Sequence, residues 1–120
     1  MHGLHLTADL YRCRCEAAWL AEADRLGPWC VQALQAVGLQ PAHEIFQDLP
    51  ERAGVAGAAL LADAHVCVHT WTGQRAAMLD VYVGHAADGP AKARALMAAL
   101  VNRFQPEWTE QRSLDRGDGE

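Results

Sequence analysis

Apolar positions along the chain change spacing several times, and each change marks an element. Leu4, Leu6, Ala8 and Leu10 alternate with His5, Thr7, Asp9 and Tyr11, the period of two that a half-buried strand requires. The spacing then lengthens. Ala17, Leu20, Ala21, Val31, Leu34 and Val37 recur three or four residues apart, as on one face of a helix. Gly27-Pro28 interrupts that run, and proline suits a first helical turn, so two helical pieces are predicted with Gly38 as the stop.

His43 to Leu49 reads as a second strand, Pro50 to Gly54 as a loop, and Val55 to Leu61 as a strand of small and branched residues. After a break near Asp63-Ala64, Val66, Val68 and Thr70 fall on one face of the next strand. His65, Cys67, His69 and Trp71 fall on the other. Thr72-Gly73-Gln74 is turn chemistry. Ala76 to Val83 is another strand, and Pro90 opens a helix whose stripe includes Ala91, Ala95, Leu96, Ala99 and Leu100. Lys92, Arg94 and Arg103 form its solvated side. Glu107 to Arg112 reads as a short edge strand, and Ser113 to Glu120 as a mobile polar tail. The order predicts an α+β fold: a two-layer sandwich in which helices cover one face of a mostly antiparallel sheet. Residues 1–112 form a single domain, with 113–120 as the tail.

Composition narrows the classes. At 120 residues with 51% hydrophobic, the chain is expected to form one globule with a true core. A formal charge of −5 and the lack of any Lys/Arg cluster argue against a nucleic-acid partner. No apolar run is long enough to span a membrane, and the N-terminus lacks a signal-peptide layout, so a cytoplasmic protein is expected. Cys13, Cys15, Cys30 and Cys67 read as free, mostly buried thiols; Cys13-x-Cys15 lacks the second pair of a structural zinc site.

The strand carrying two imidazoles, a thiol and an indole on one face is the place to look for chemistry. His69 titrates near neutrality and suits acid/base work, or is a hydrogen-bonded structural histidine. Trp71 is a platform for a ring-bearing ligand, or core and interface. His65 with Cys67, or Cys67 with His69, places two metal ligands on one face; a third would come from His85, Asp80 or His5. Without such a third donor no metal is expected.

Several stretches together resemble the small prokaryotic S-adenosylmethionine decarboxylases. Gly3-Leu-His5-Leu-Thr-Ala-Asp9-Leu-Tyr11-Arg-Cys13 is similar to their His-Leu-x-x-Asp-Leu-Tyr-Gly-Cys opening, and Gly54-Val55-Ala56-Gly57 to their Gly-Val-Ser-Gly. Asp63-Ala64-His65-Val66-Cys67-Val68-His69-Thr70-Trp71 resembles their Glu-Ser-His-x-Ser-x-His-Thr-Trp, and Asp80-Val81-Tyr82-Val83-Gly84 their Asp-x-Phe-Thr-Cys. The match runs in order to about Arg112.

The resemblance implies a protein of polyamine (spermidine) biosynthesis, a lyase whose pyruvoyl group is made from its own serine when the chain cuts itself. It also implies what this chain has lost. Ala64 stands at the serine's place, Ala56 at a processing serine, Gly84 at the proton-donating cysteine, and Thr72-Gly73 at a Pro-Glu. Asp63 shortens the residue before the cut, and His69 is kept. No pyruvoyl cofactor is therefore expected.

The resemblance places Trp71, His65, Cys67 and Phe46 as candidate ligand contacts. It implies S-adenosylmethionine or a polyamine as ligand, and a homodimer or a heterodimer with an active paralogue as assembly. The first reading is a non-processed binding or regulatory subunit. The second is a repurposed lyase or hydrolase acting on a sulfonium, amine or amino-acid ligand, with His69 as acid/base and metal assistance from His65, Cys67 and His69.

Overall fold

The computed structural model describes residues 1–117. Six strands form one sheet: β1 (His2–Cys13), β2 (His43–Asp48), β3 (Val55–Leu61), β4 (Ala64–Trp71), β5 (Ala76–Gly84) and β6 (Pro106–Gly117). Three helices accompany them: α1 (Ala18–Ala21), α2 (Ala23–Ala36) and α3 (Gly89–Phe104). The sheet order is β2-β3-β4-β5-β1-β6 and every neighbouring pair is antiparallel. The fold is the two-layer α+β sandwich that the spacing predicts.

Alternation along the strands decides which side chains the helices cover. Leu4, Leu6, Ala8 and Leu10 of β1 are buried with Val66 and Val68 of β4 and Leu79, Val81 and Val83 of β5. Against them pack Leu26, Cys30 and Leu34 of α2, and Leu96, Met97, Leu100 and Phe104 of α3. Gly57 lets the Phe46 ring lie directly on β3, since a Cβ there would collide with it.

Thr70 is the one buried polar side chain among the described residues, fully enclosed between the sheet and α1. Its hydroxyl donates to the Leu20 carbonyl at 2.7 Å and accepts the Val55 N–H at 2.8 Å. One oxygen therefore ties β4 to the start of β3 and to the first helix.

Three expectations are corrected. The helical break falls at Glu22, not at Gly27-Pro28. Glu22 is extended (φ −124°, ψ 110°) and Pro28 lies inside α2. The reason is tertiary: the Asp48 carboxylate accepts the Ala23 N–H at 2.7 Å and starts α2 there. The polar stretch from Ser113 to Gly117 is strand, paired with β1 out to His2↔Gly117. Its side chains are exposed, so only the backbone ladder holds it, and side-chain polarity does not report a ladder. The rest of the predicted tail, 118–120, lies outside the described residues. Arg103 is not simply solvated: its guanidinium sits 4.0 Å from the centre of the Trp19 ring.

Replacing Thr70 by valine keeps the shape but orphans the Leu20 carbonyl and the Val55 amide. A loss of about 2–4 kcal/mol is expected, read as a lower urea midpoint at unchanged slope. A midpoint equal to wild type would show that water replaces the hydroxyl.

Candidate functional site

The residues singled out on β4 and its neighbours separate into two groups at opposite ends of the strand. At the first end, Ala62 and Asp63 form the tight link between β3 and β4, with Leu61 paired to Ala64 across it. Ala64 also pairs with Val83 of β5, and the Asp63 carbonyl accepts the Gly84 N–H at 2.9 Å. These contacts bring Asp63, Ala64 and Gly84 together. Gly84 has no side chain, and the space a Cβ would need there is taken by the Asp63 carboxylate. The Ala64 methyl is buried on the helix side. Beside it opens a pocket of about 240 Å³, walled by Leu39, Leu61, Val83 and Ala86 and carrying Asp63 and Lys92.

At the other end, Ala56 of β3 pairs with His69 of β4. His69 is exposed and its ring lies 6.0 Å from that of Trp71, tilted by 27°. The signature His69-Thr70-Trp71 thus divides: His69 and Trp71 look out from the open face, while Thr70 turns inward to lock the fold. Within one chain His69 cannot reach Ala64. Five residue steps of strand separate them, about 16 Å.

Between the two ends lies a row of rings. His65 stacks on Tyr82 at 5.5 Å, His5 lies 6.4 Å from His65, and His5 Nε2 is 3.2 Å from Asp80 Oδ1. Tyr82 and the His5–Asp80 pair are members of this surface that strand periodicity places on the face but does not join. Register joins them, pairing His5 and His65 with Tyr82 from either side.

His65, Cys67 and His69 share the open face as predicted, yet no three His, Cys, Asp or Glu side chains among the described residues converge on one point. A flat strand face spreads its donors along a line instead of wrapping them round an ion. Cys67 lies across from Asp80, and burial together with that carboxylate pushes its thiol above the usual range. A raised pKa keeps it protonated at neutral pH, the opposite of an activated nucleophile. Cys13 and Cys30, pushed by burial to about 11 and about 12, are free structural thiols.

Phe46 does not join Trp71. It lies on the covered side, over Gly57 and against Gly27 of α2, because β2 pairs with β3 in a register that sets Phe46 opposite Gly57. Lys92, read as solvated, is half-buried at the pocket beside Asp63. Helical periodicity puts it on the rim of the apolar stripe, and only the end of β4 shows what the rim faces.

The residues present do not fit a self-made pyruvoyl group. Ala62, Asp63 and Ala64 offer neither hydroxyl nor thiol at the turn, and the carboxylate fills the space of any side chain at residue 84.

Comparison with known proteins identifies the family. The family model described as S-adenosylmethionine decarboxylase matches residues 4–117. A protein of Thermoplasma acidophilum named S-adenosylmethionine decarboxylase proenzyme is 30% identical over 117 residues, covering 97% of this chain and 84% of the relative. One of the same name from Hydrogenobaculum is 27% identical over 115 residues, covering 96% and 81%. The crystal structure of the adenosylmethionine decarboxylase of Aquifex aeolicus superposes with a TM-score of 0.87 at 26% identity, over 98% of this chain and 92% of that one. In sequence and in fold alike, the chain belongs to the S-adenosylmethionine decarboxylase family.

Proposed function

We propose that this protein is a non-processed member of its family, acting as a ligand-binding or regulatory subunit in polyamine (spermidine) biosynthesis. The observation that carries the reading is Ala64. It occupies the first position of β4, where the resemblance puts the serine whose remnant becomes the pyruvoyl group. A methyl group has no lone pair with which to attack the preceding carbonyl. Ala56 and Gly84, at two further positions that the resemblance marks, lack polar side-chain atoms as well.

The ligand this reading assigns is S-adenosylmethionine or a polyamine, with Trp71 and His69 offering a stacked pair of rings on the open face. The assembly it assigns is a dimer, either of two such chains or with an active paralogue. Support comes from the open face itself. Ile45, Leu60, Met78, Trp108 and Leu114 are the exposed large apolar residues besides Met1. Register sets all five on the side of the sheet that carries His65 and His69. Single exposed apolar residues are ordinary, but five on one sheet face suit a second sheet packed against them. A two-fold axis near Cys67 would bring the Ala64 end of one copy over the His69 end of the other. The split across β4 would then be closed between two chains.

The repurposed-enzyme reading is weakened by the raised Cys67 thiol and the unassembled metal donors.

Intact-mass measurement is the first test. One unbroken chain of 13.1 kDa is expected, and two fragments meeting near residue 64 would overturn the reading. Sedimentation is the second. Wild type is expected to be dimeric, and the pair Leu60→Glu with Met78→Glu to weaken association by about tenfold or more. A wild-type protein monomeric on its own and on co-expression with an intact paralogue would count against the assembly.

A further inference from the structure

On one side the sheet ends in a long strand with no neighbour beyond it among the described residues. β6 is the outermost strand next to β1, and it runs for 12 residues against 6 for β2 at the other edge. Alternate backbone N–H and C=O groups of such a strand point outward, unpaired. Edges are commonly blunted by a bulge, a mid-strand proline or brevity. β6 has none of these. Its ladder with β1 is unbroken from Trp108 to Gly117, and Pro106 is its first residue. The helix layer leaves it open as well, since a groove runs between Met97 and Ala98 of α3 and Gln111 and Ser113 of β6.

Register with β1 puts Trp108, Glu110, Arg112 and Leu114 on the open side of the sheet, with Thr109, Gln111 and Ser113 on the helix side. That order is complementary to itself. With an antiparallel copy paired about a two-fold axis at Gln111, Glu110 faces Arg112 of the second copy, Trp108 faces Leu114 and Thr109 faces Ser113. Symmetry makes each of these contacts twice. Trp108 and Leu114 are 60% and 57% exposed in the single chain. Arg112 there has only exposed pairings, with Glu110 of its own strand at 3.4 Å and Asp9 at 3.8 Å, and such pairs hold it weakly. Moving the axis by one residue centres it on Glu110 or on Arg112 and sets that charge against its own copy. The like-charged pair in the favoured register, Glu107 opposite Asp115, falls at the ends, where Glu107 already has Arg12 at 3.8 Å.

We propose that β6 is a docking edge for a second copy of this chain, joining two six-stranded sheets into one by antiparallel β6–β6 pairing centred on Gln111. The contact goes beyond the face-to-face dimer and uses the edge of the sheet in place of its open face. One strand pair is a small contact, so it forms as concentration rises and builds tetramers from dimers. The charges select the partner: a strand without Arg and Glu at the matching positions would leave Glu110 and Arg112 unanswered.

Sedimentation of the whole protein from micromolar to millimolar chain tests the proposal. Wild type is expected to pass from dimer to tetramer, and the Leu60→Glu/Met78→Glu protein from monomer to dimer. In that second protein, Glu110→Arg and Arg112→Glu are each expected to weaken the step by about tenfold or more, because each sets like charges opposite one another twice. Mixing the two charge variants in equal amounts is expected to bring association back to within about threefold of the unmutated edge, since every mixed pair again opposes Glu and Arg. A variant that merely folds poorly is not rescued in this way. Association that ignores both charge variants, a mixture no stronger than its parts, or no growth with concentration would overturn the proposal. The two interfaces fail separately. A wild-type dimer lost in Arg112→Glu and kept in Leu60→Glu/Met78→Glu sinks the face-to-face contact and leaves the edge standing, and a dimer unchanged at every concentration does the reverse.

Discussion

Burial of a single face of the sheet under α2 and α3 is the interaction on which the rest of the molecule depends. Each strand must send alternate residues under the helices, so its remaining residues are committed to the open side. That rule holds Val66, Val68 and Thr70 inside and puts His65, Cys67, His69 and Trp71 out. It also collects five large apolar residues on a surface that the described residues leave uncovered. The chemistry-bearing face and the apolar face are the same face.

The second consequence concerns the two ends of β4. Residues that the family resemblance assigns to one site lie in two groups about 16 Å apart, Asp63, Ala64 and Gly84 at the turn and Ala56 with His69 at the far end. With no side chain at 84 there is room for the Asp63 carboxylate, and the two residues are also joined through their backbones. Lys92, in the first turn of α3 beyond β4 and β5, lines the pocket beside Ala64.

Stability and the signature motif are linked through Thr70. In the run His69-Thr70-Trp71 the middle residue is the one buried, with both of its hydrogen bonds made to backbone of other elements. A motif that reads as a functional triplet is thus part surface and part fastening. Thr70 is a requirement of the fold, since its buried hydroxyl cannot be dropped without orphaning two backbone groups.

What the sequence by itself determined was local and periodic. The two-residue alternation in β1, β4 and β5, the strand over Val55–Leu61 and the helix opened by Pro90 all follow from nearest neighbours, and the structure keeps them. So does the identity of the atom missing at residue 64, which no tertiary contact can restore. Only the tertiary structure decided the rest. The break at Glu22 depends on a carboxylate from Asp48, and the length of β6 on a ladder with β1. The side taken by Phe46 depends on its pairing with Gly57, and the pocket beside Ala64 on where α3 begins. Each is a contact between residues far apart in the chain. Spacing along one element carries no information about which other element arrives beside it.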